Sequence, residues 1–301
     1  MALSFIHKSL SMHINALPSL RLAAIGMIST DARGNLIVPD FSGTEKQPND
    51  FYDRCLAGLL SLHGIYSIYL EHSVPQITTR LRQNSSLAAL LEHFRADDKM
   101  TIHGEVLRLL CAVRDAAASP TSRVTISEKG LYLSHVQNGR EIYLKADSAF
   151  VEKLLVLTIM LVQLDNRGGE YSLGLLRTFY NDLQKTINLF NNAHNSTLSP
   201  LSANALCLSP NRCRVQQPLF TMQDNRISIE RLTHSFFSNS STAPEYFIIV
   251  KGRQFVIPDE ALVQNNSISM HDLSVWHYNS EIVDCMRQVK SFITLVAETV
   301  S

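Results

Sequence analysis

Three groups of residues are of the types that handle phosphate. The first is Lys251-Gly252-Arg253, set between the apolar runs Phe247–Val250 and Phe255–Ile257. A glycine turn exposes backbone N–H groups, and two cations beside it would clamp an anion. The same residues are ordinary chemistry for a solvated hairpin tip, and taken alone they favour the tip. The second is "RLRQNSS", where Arg80 and Arg82 lead into Ser85 and Ser86 at an expected helix start. Free N–H groups and the helix dipole attract anions there, although simple capping beside solvated arginines is the plainer account. The third is "NRCR", Asn211–Arg214, with Arg226 and Arg231. Arg212, Arg214, Arg226 and Arg231 would form a basic strip for RNA phosphates, or stand as isolated surface charges balanced by nearby acids.

Other chemistries find less support. Eleven histidines include no HxH, HExxH or HxxxH pair, so none has metal-ligand spacing. His271 and His277 flank "DLSVW", and they would share a face only on a strand. His103 and His234 stand in expected helical runs. The sequence contains no GxSxG, Walker or GxGxxG motif. Cys55, Cys111, Cys207, Cys213 and Cys285 are odd in number and lack CxxC spacing, which reads as reduced thiols in a cytosolic protein. Asn-x-Ser/Thr acceptors at Asn84, Asn195, Asn239 and Asn265 carry little weight, because "LAAIGMI" lacks the basic leader and cleavage pattern of a signal peptide. The longest apolar run, "LLVLTIMLVQL" from Leu154, is too short to span a bilayer and reads as a buried helix. Formal net charge is zero, so nucleic-acid or membrane binding would need a local patch. With 45% hydrophobic and 18% charged residues over 301 positions, the chain is ordered and large enough for one or two domains.

The elements that would position these residues follow from periodicity. "NDFYDRCLAGLLSLHG" reads as a helix from an Asn49/Asp50 cap to a C-terminal Gly64. "SSLAALLEHFR" carries a stripe through Leu87, Leu90, Leu91 and Phe94, and "HGEVLRLLCAVRDAAAS" one through Val106, Leu109, Leu110 and Val113. "AAASPTS" marks a boundary. "RVTISE", "GLYLSHV" and "EIYLK" then alternate as an antiparallel meander, with Asn138-Gly139 as a hairpin turn. Helices are expected at 149–164 and 172–191, then a polar loop over 193–216. Strands are expected at "PLFTM", "IIV" and "FVI", with a helix near 227–237 and a last helix from about residue 280. The class is α+β: a helical domain over 1–115, a linker over 116–123, and an antiparallel α+β domain over 124–301.

The order of segments resembles the family of rotavirus non-structural protein two, the octameric NTPase of viroplasms. The likeness lies in "LRLAAIGMIST" followed by "FYDRCLAGL", in "VPQITTRLRQNSSLAALL", in "LRLLCAVRD" followed by "RVTISEKG", in "MQDNRISIERL" followed by "EYFIIVKGR", and in "HDLSVWHYNSEIVDCM". Each motif alone is weak; their collinearity carries the resemblance. It implies a histidine-triad-like C-terminal domain and a nucleotide cleft. It also implies Mg²⁺-assisted hydrolysis of ATP, other NTPs and RNA 5′-triphosphates, with a histidine as phosphate acceptor. Single-stranded RNA binding, helix destabilisation and a homo-octameric ring come with it. So do a place in viral factories of the host cytoplasm and partners that include a second viral non-structural phosphoprotein, the polymerase and the core protein.

Carried over by position, the family's nucleotide-binding residues fall on Gln83, Asn84 and Ser85, with Arg82 beside them, and on Lys251, Gly252 and Arg253. The chain departs from the family's pattern in several places. The family's His-Gly-Lys-Gly-His turn is shorter here, Lys251 replaces its first histidine, and its second histidine has no counterpart. Ser85 stands where the family has an arginine, Pro218 falls near a cationic family position, and a basic loop after the "FYD" helix is missing. These departures leave the catalytic nucleophile unassigned. They also leave open a scaffold that binds RNA without hydrolysing NTP.

Overall fold

The structure is a computed structural model. It describes residues 24–27, 29–30, 36–37, 51–73, 97–127, 129–137, 140–164, 169–191, 198–216, 218–230 and 242–278. Helices and strands are both abundant, so the chain is α+β. Contacts divide it into two compact units that do not follow the boundary expected at 116–123: the meander falls in the same unit as the helices that precede it.

The first unit contains β4 (Arg123–Ser127), β5 (Gly130–Gln137), β6 (Arg140–Ala146) and β7 (Ile187–Asn191), joined in that order as an antiparallel sheet. Helices α1 (Phe51–Ser73), α2 (Asp98–Ala118) and α3 (Phe150–Leu164) belong with it, as does α4 (Gly169–Thr186) from Phe179 onward. The expected α1 stop at Gly64 is wrong. Leu59, Leu62, Tyr66, Tyr69 and Leu70 continue one buried stripe across the glycine. Burying two tyrosines and a leucine is worth several times the roughly 1 kcal/mol that a mid-helix glycine costs. The Tyr66 hydroxyl and His103 Nδ1 share a hydrogen bond of 2.6 Å, tying α1 to α2. The helix expected over 172–191 stops at Thr186, because Leu144 and Phe190 pair across β6 and β7 in the core.

Part of the expected polar loop also belongs to this unit and is pinned by carboxylates. Glu105 accepts from Ser199 N and Oγ at 3.1 and 2.6 Å, and Asp98 from Ser202 N and Oγ at 2.8 Å each. Arg108, 1% exposed, pairs with Glu105 and lies 4.5 Å over the Phe190 ring.

The second unit is built on β1 (Ala24–Met27), β8 (Asn211–Gln216), β11 (Thr242–Val250) and β12 (Arg253–Pro258), joined in that order. The sheet is mixed, not antiparallel as expected: β1 and β11 both run parallel to β8, and only β11–β12 is a hairpin. β8 occupies the end of what the sequence suggested was loop. A smaller sheet joins β9 (Phe220–Gln223), β10 (Arg226–Ile229) and β13 (Ser267–Ser269), and β2 (Ser29–Thr30) pairs with β3 (Leu36–Ile37). β10 lies where a helix was expected. Asp224 and Asn225, both at positive φ, make the two-residue turn that pairs Gln223 with Arg226, and Ile227 and Ile229 alternate into the core. The expected helices at 85–95 and from 280, the Asn138-Gly139 turn and most of the 227–237 span lie outside the described residues. No described helix is long and apolar enough to cross a membrane.

Candidate functional site

The β11–β12 hairpin closes through Lys251 and Gly252, with Val250 paired to Arg253. Lys251 has φ +50° and Gly252 φ +76°, the pair of left-handed conformations that a primed two-residue turn requires. Such a turn matches the right-handed twist of its strands, whereas an unprimed two-residue turn would splay them. Lys251, Gly252 and Arg253 are all exposed, and a Cβ added at Gly252 would meet nothing within 4 Å. Among the described residues no carboxylate pairs with Lys251 or Arg253. The turn is therefore a hairpin tip, and it also presents two uncompensated cations.

An imidazole lies at the same edge. After the one-turn helix α5 (Met270–Leu273), capped by Ser269, the chain returns so that His277 bridges Phe255 in antiparallel register and Tyr278 N donates to Gln254 O at 2.9 Å. His277 packs edge-on against the Phe255 ring at 5.6 Å and is exposed. Strand alternation puts Arg253, Phe255 and His277 on one face of the sheet. No local pattern signals this: the bridge spans 22 residues of separation, and "WHYN" has no special pattern. His271, which flanks the same segment, sits exposed on α5 and does not join the edge.

Arg212 and Arg214 are corrected from surface to core. Arg212 is 0% exposed and Arg214 6%. The Arg212 guanidinium donates Nε to Glu245 Oε2 at 3.1 Å, and Nη1 and Nη2 to the two oxygens of Glu260 at 2.9 and 2.8 Å. It donates further to the carbonyls of Ser209 and Pro244 at 3.3 and 3.0 Å. All five N–H groups are used, so none is left for a phosphate. Arg214 Nε donates to Glu245 Oε1 at 2.6 Å and stacks 5.6 Å over the Tyr278 ring. Tyr171, near the start of α4, donates its hydroxyl to Glu245 Oε2 at 2.7 Å. Two arginines and two carboxylates make the cluster neutral, which is how the sheet tolerates it.

The local electrostatics follow. Burial works against the charge of Glu245, but Arg214 and Arg212 hold its carboxyl below the usual carboxylate range. Burial likewise opposes Glu260, and Arg212 with the Ser209 N–H overrides it. Burial, then Glu245, drives the Tyr171 phenol well up. The Cys213 side chain is fully buried, and its thiol is pushed up to about 12, first by burial and then by Glu245.

Arg226 is exposed on β10 and donates Nε and Nη2 to Ser267 Oγ at 3.1 and 2.9 Å. Gln83, Asn84, Ser85 and Arg231 lie outside the described residues. Among the described residues no three His, Cys, Asp or Glu side chains are grouped to hold a metal ion. Comparison with protein-family models, with curated proteins and with solved structures finds no match.

Proposed function

We propose that this chain is a viral single-stranded RNA-binding NTPase and RNA 5′-triphosphatase whose phosphate-facing edge is the β11–β12 tip. The observation that carries the reading is the exposed, uncompensated pair Lys251 and Arg253 at a turn with an accessible imidazole, His277, on the same face. Lys251 and Arg253 would neutralise charge on the terminal phosphate, and the Gly252 backbone allows close approach. Water attacks the γ-phosphorus, the bond to the β–γ bridging oxygen breaks, and inorganic phosphate leaves. Mg²⁺ enters as the Mg·NTP complex, with phosphate oxygens among its ligands. On the same reading the chain has a histidine-triad-like domain, assembles as a homo-octamer, and works in host-cytoplasmic viral factories. Its partners there are a second viral non-structural phosphoprotein, the polymerase and the core protein.

A second reading is favoured by one feature: the turn has only two residues and no histidine of its own. The ring would then bind RNA and partners as a scaffold without turnover. Mg²⁺-dependent γ-phosphate release from ATP and from 5′-triphosphate RNA separates the two. Release that falls at least about tenfold in Lys251→Ala/Arg253→Ala, at unchanged assembly mass, supports the NTPase. A parallel His277→Ala variant tests whether the imidazole takes part. No release from the wild type, with RNA binding intact, leaves the scaffold.

A further inference from the structure

The β4-β5-β6-β7 sheet turns Leu131, Leu133, Ile142, Leu144 and Phe190 into the core of its unit. Its other face is open: Tyr132 is 43%, Val136 62% and Leu189 49% exposed. Register orders what lies on that face. Thr125, Tyr132, Lys145 and Leu189 form one row across four strands, and Arg123, Ser134 and Tyr143 belong to the next. Tyr132 and Tyr143 are therefore diagonal neighbours on adjacent strands, within reach of consecutive planar groups. Arg123 and Lys145 flank them, both exposed and with no carboxylate partner among the described residues.

We infer that this face binds single-stranded RNA, with the Tyr132 and Tyr143 rings as stacking platforms for unpaired bases and Arg123 and Lys145 as phosphate contacts. The inference rests on the RNA-binding part of the function proposed above and supplies the surface for it. Aromatic rings on a flat sheet face stack only on bases that are not already paired, which selects single strands over duplex. The exposed apolar groups are interleaved with Thr125, Ser134, Lys145 and Glu141, so the face mixes rings and aliphatic groups with polar and charged side chains. Across Arg123, Lys145 and Glu141 the face carries one net positive charge, small in total but placed beside the rings.

The test is fluorescence anisotropy with a labelled oligouridine of about 15 nucleotides, a length suited to one sheet-sized site. Tyr132→Ala/Tyr143→Ala weakens binding by about tenfold for each ring while leaving the salt slope unchanged. Arg123→Ala/Lys145→Ala lowers the salt slope by about 0.7 for each cation. All four side chains lie off the core face, so thermal melts stay near wild type and confirm the fold. A 5-iodouridine oligomer, irradiated with unmodified protein, crosslinks to the β5–β6 peptide. Wild-type binding that both double variants retain, with crosslinks elsewhere, overturns this inference and leaves the RNA-binding reading standing. No oligonucleotide binding by the wild type at low salt overturns both. A change of assembly mass in the tyrosine variant, with RNA affinity unchanged, assigns the face to a second copy of the chain and also overturns the inference.

Discussion

In the antiparallel sheet of the first unit, Arg123, Glu141 and Lys145 stand in water, and among the described residues the core face buries Leu131, Leu133, Ile142, Leu144 and Phe190 together with the imidazole of His135. In the mixed sheet of the second unit, Arg212, Arg214 and Glu245 are inside. The difference shows what burying a charge requires. An antiparallel meander with one wet face can put every cation outside by alternation alone. A sheet covered on the face that carries its charges can hold an arginine there only if each N–H finds an acceptor, and Glu245, Glu260 and two carbonyls supply them. Among the described residues of the second unit, exposed cations at its turns and strand faces include Lys251, Arg253 and Arg226.

The comparison is broken most severely at Glu245. Glu245→Ala leaves buried Arg214 without its carboxylate and the Nε of Arg212 without an acceptor, and should cost about 3–5 kcal/mol in urea unfolding, whereas Arg123→Ala on the open sheet stays within about 0.5 kcal/mol. An equal cost at the two positions would show that the cluster is solvated in solution.

Acidity sharpens the contrast next. Burial lowers the pKa of His135, with Asp115 opposing, and lowers that of His63, with Arg114 assisting. Both folded values lie under 6.5, so the unfolded chain takes these protons first as pH falls. Their contribution is complete above pH 6.5 and is lost below it, toward the folded pKa. Both ring nitrogens of His135 are buried without a hydrogen-bond partner, so His135→Leu should flatten this limb in pH-dependent melting. Glu245 and Glu260 act in a separate window: their stabilisation is complete above pH 4.5 and is lost as pH falls below it. A wild-type midpoint that does not change between these windows and neutrality would refute the burial of both sets.

The smallest stability effect belongs to the tip. Lys251→Ala/Arg253→Ala should move the melting free energy by no more than about 0.5 kcal/mol, since both side chains are exposed and neither pairs with a carboxylate among the described residues. A large loss there would mean that the two cations have a structural partner.

Much of the framework was legible. Alternation in "RVTISE", "GLYLSHV" and "EIYLK" identified the meander, and a run of Leu, Val, Ile and Met identified α3, because both depend on local periodicity. The candidate turn was legible too, since Lys-Gly between two β-rich runs is a local hairpin signal. The misreadings were of another kind. "NRCR" is polar by composition, yet it is a central strand, because Glu245 and Glu260 arrive from more than 30 residues away to neutralise it. "INLFN" continues a helical pattern, yet it pairs with β6.

The sequence alone therefore determined the meander and the apolar helix α3, and that Lys251-Gly252 make a tight turn followed by Arg253. Only the tertiary structure decided which cations meet solvent, which carboxylates quench Arg212 and Arg214, that His277 returns to the hairpin edge, and that Tyr132 and Tyr143 share an open face. Periodicity is written in neighbours along the chain. Charge pairing and shared faces depend on which distant strands lie side by side, and that is set by packing.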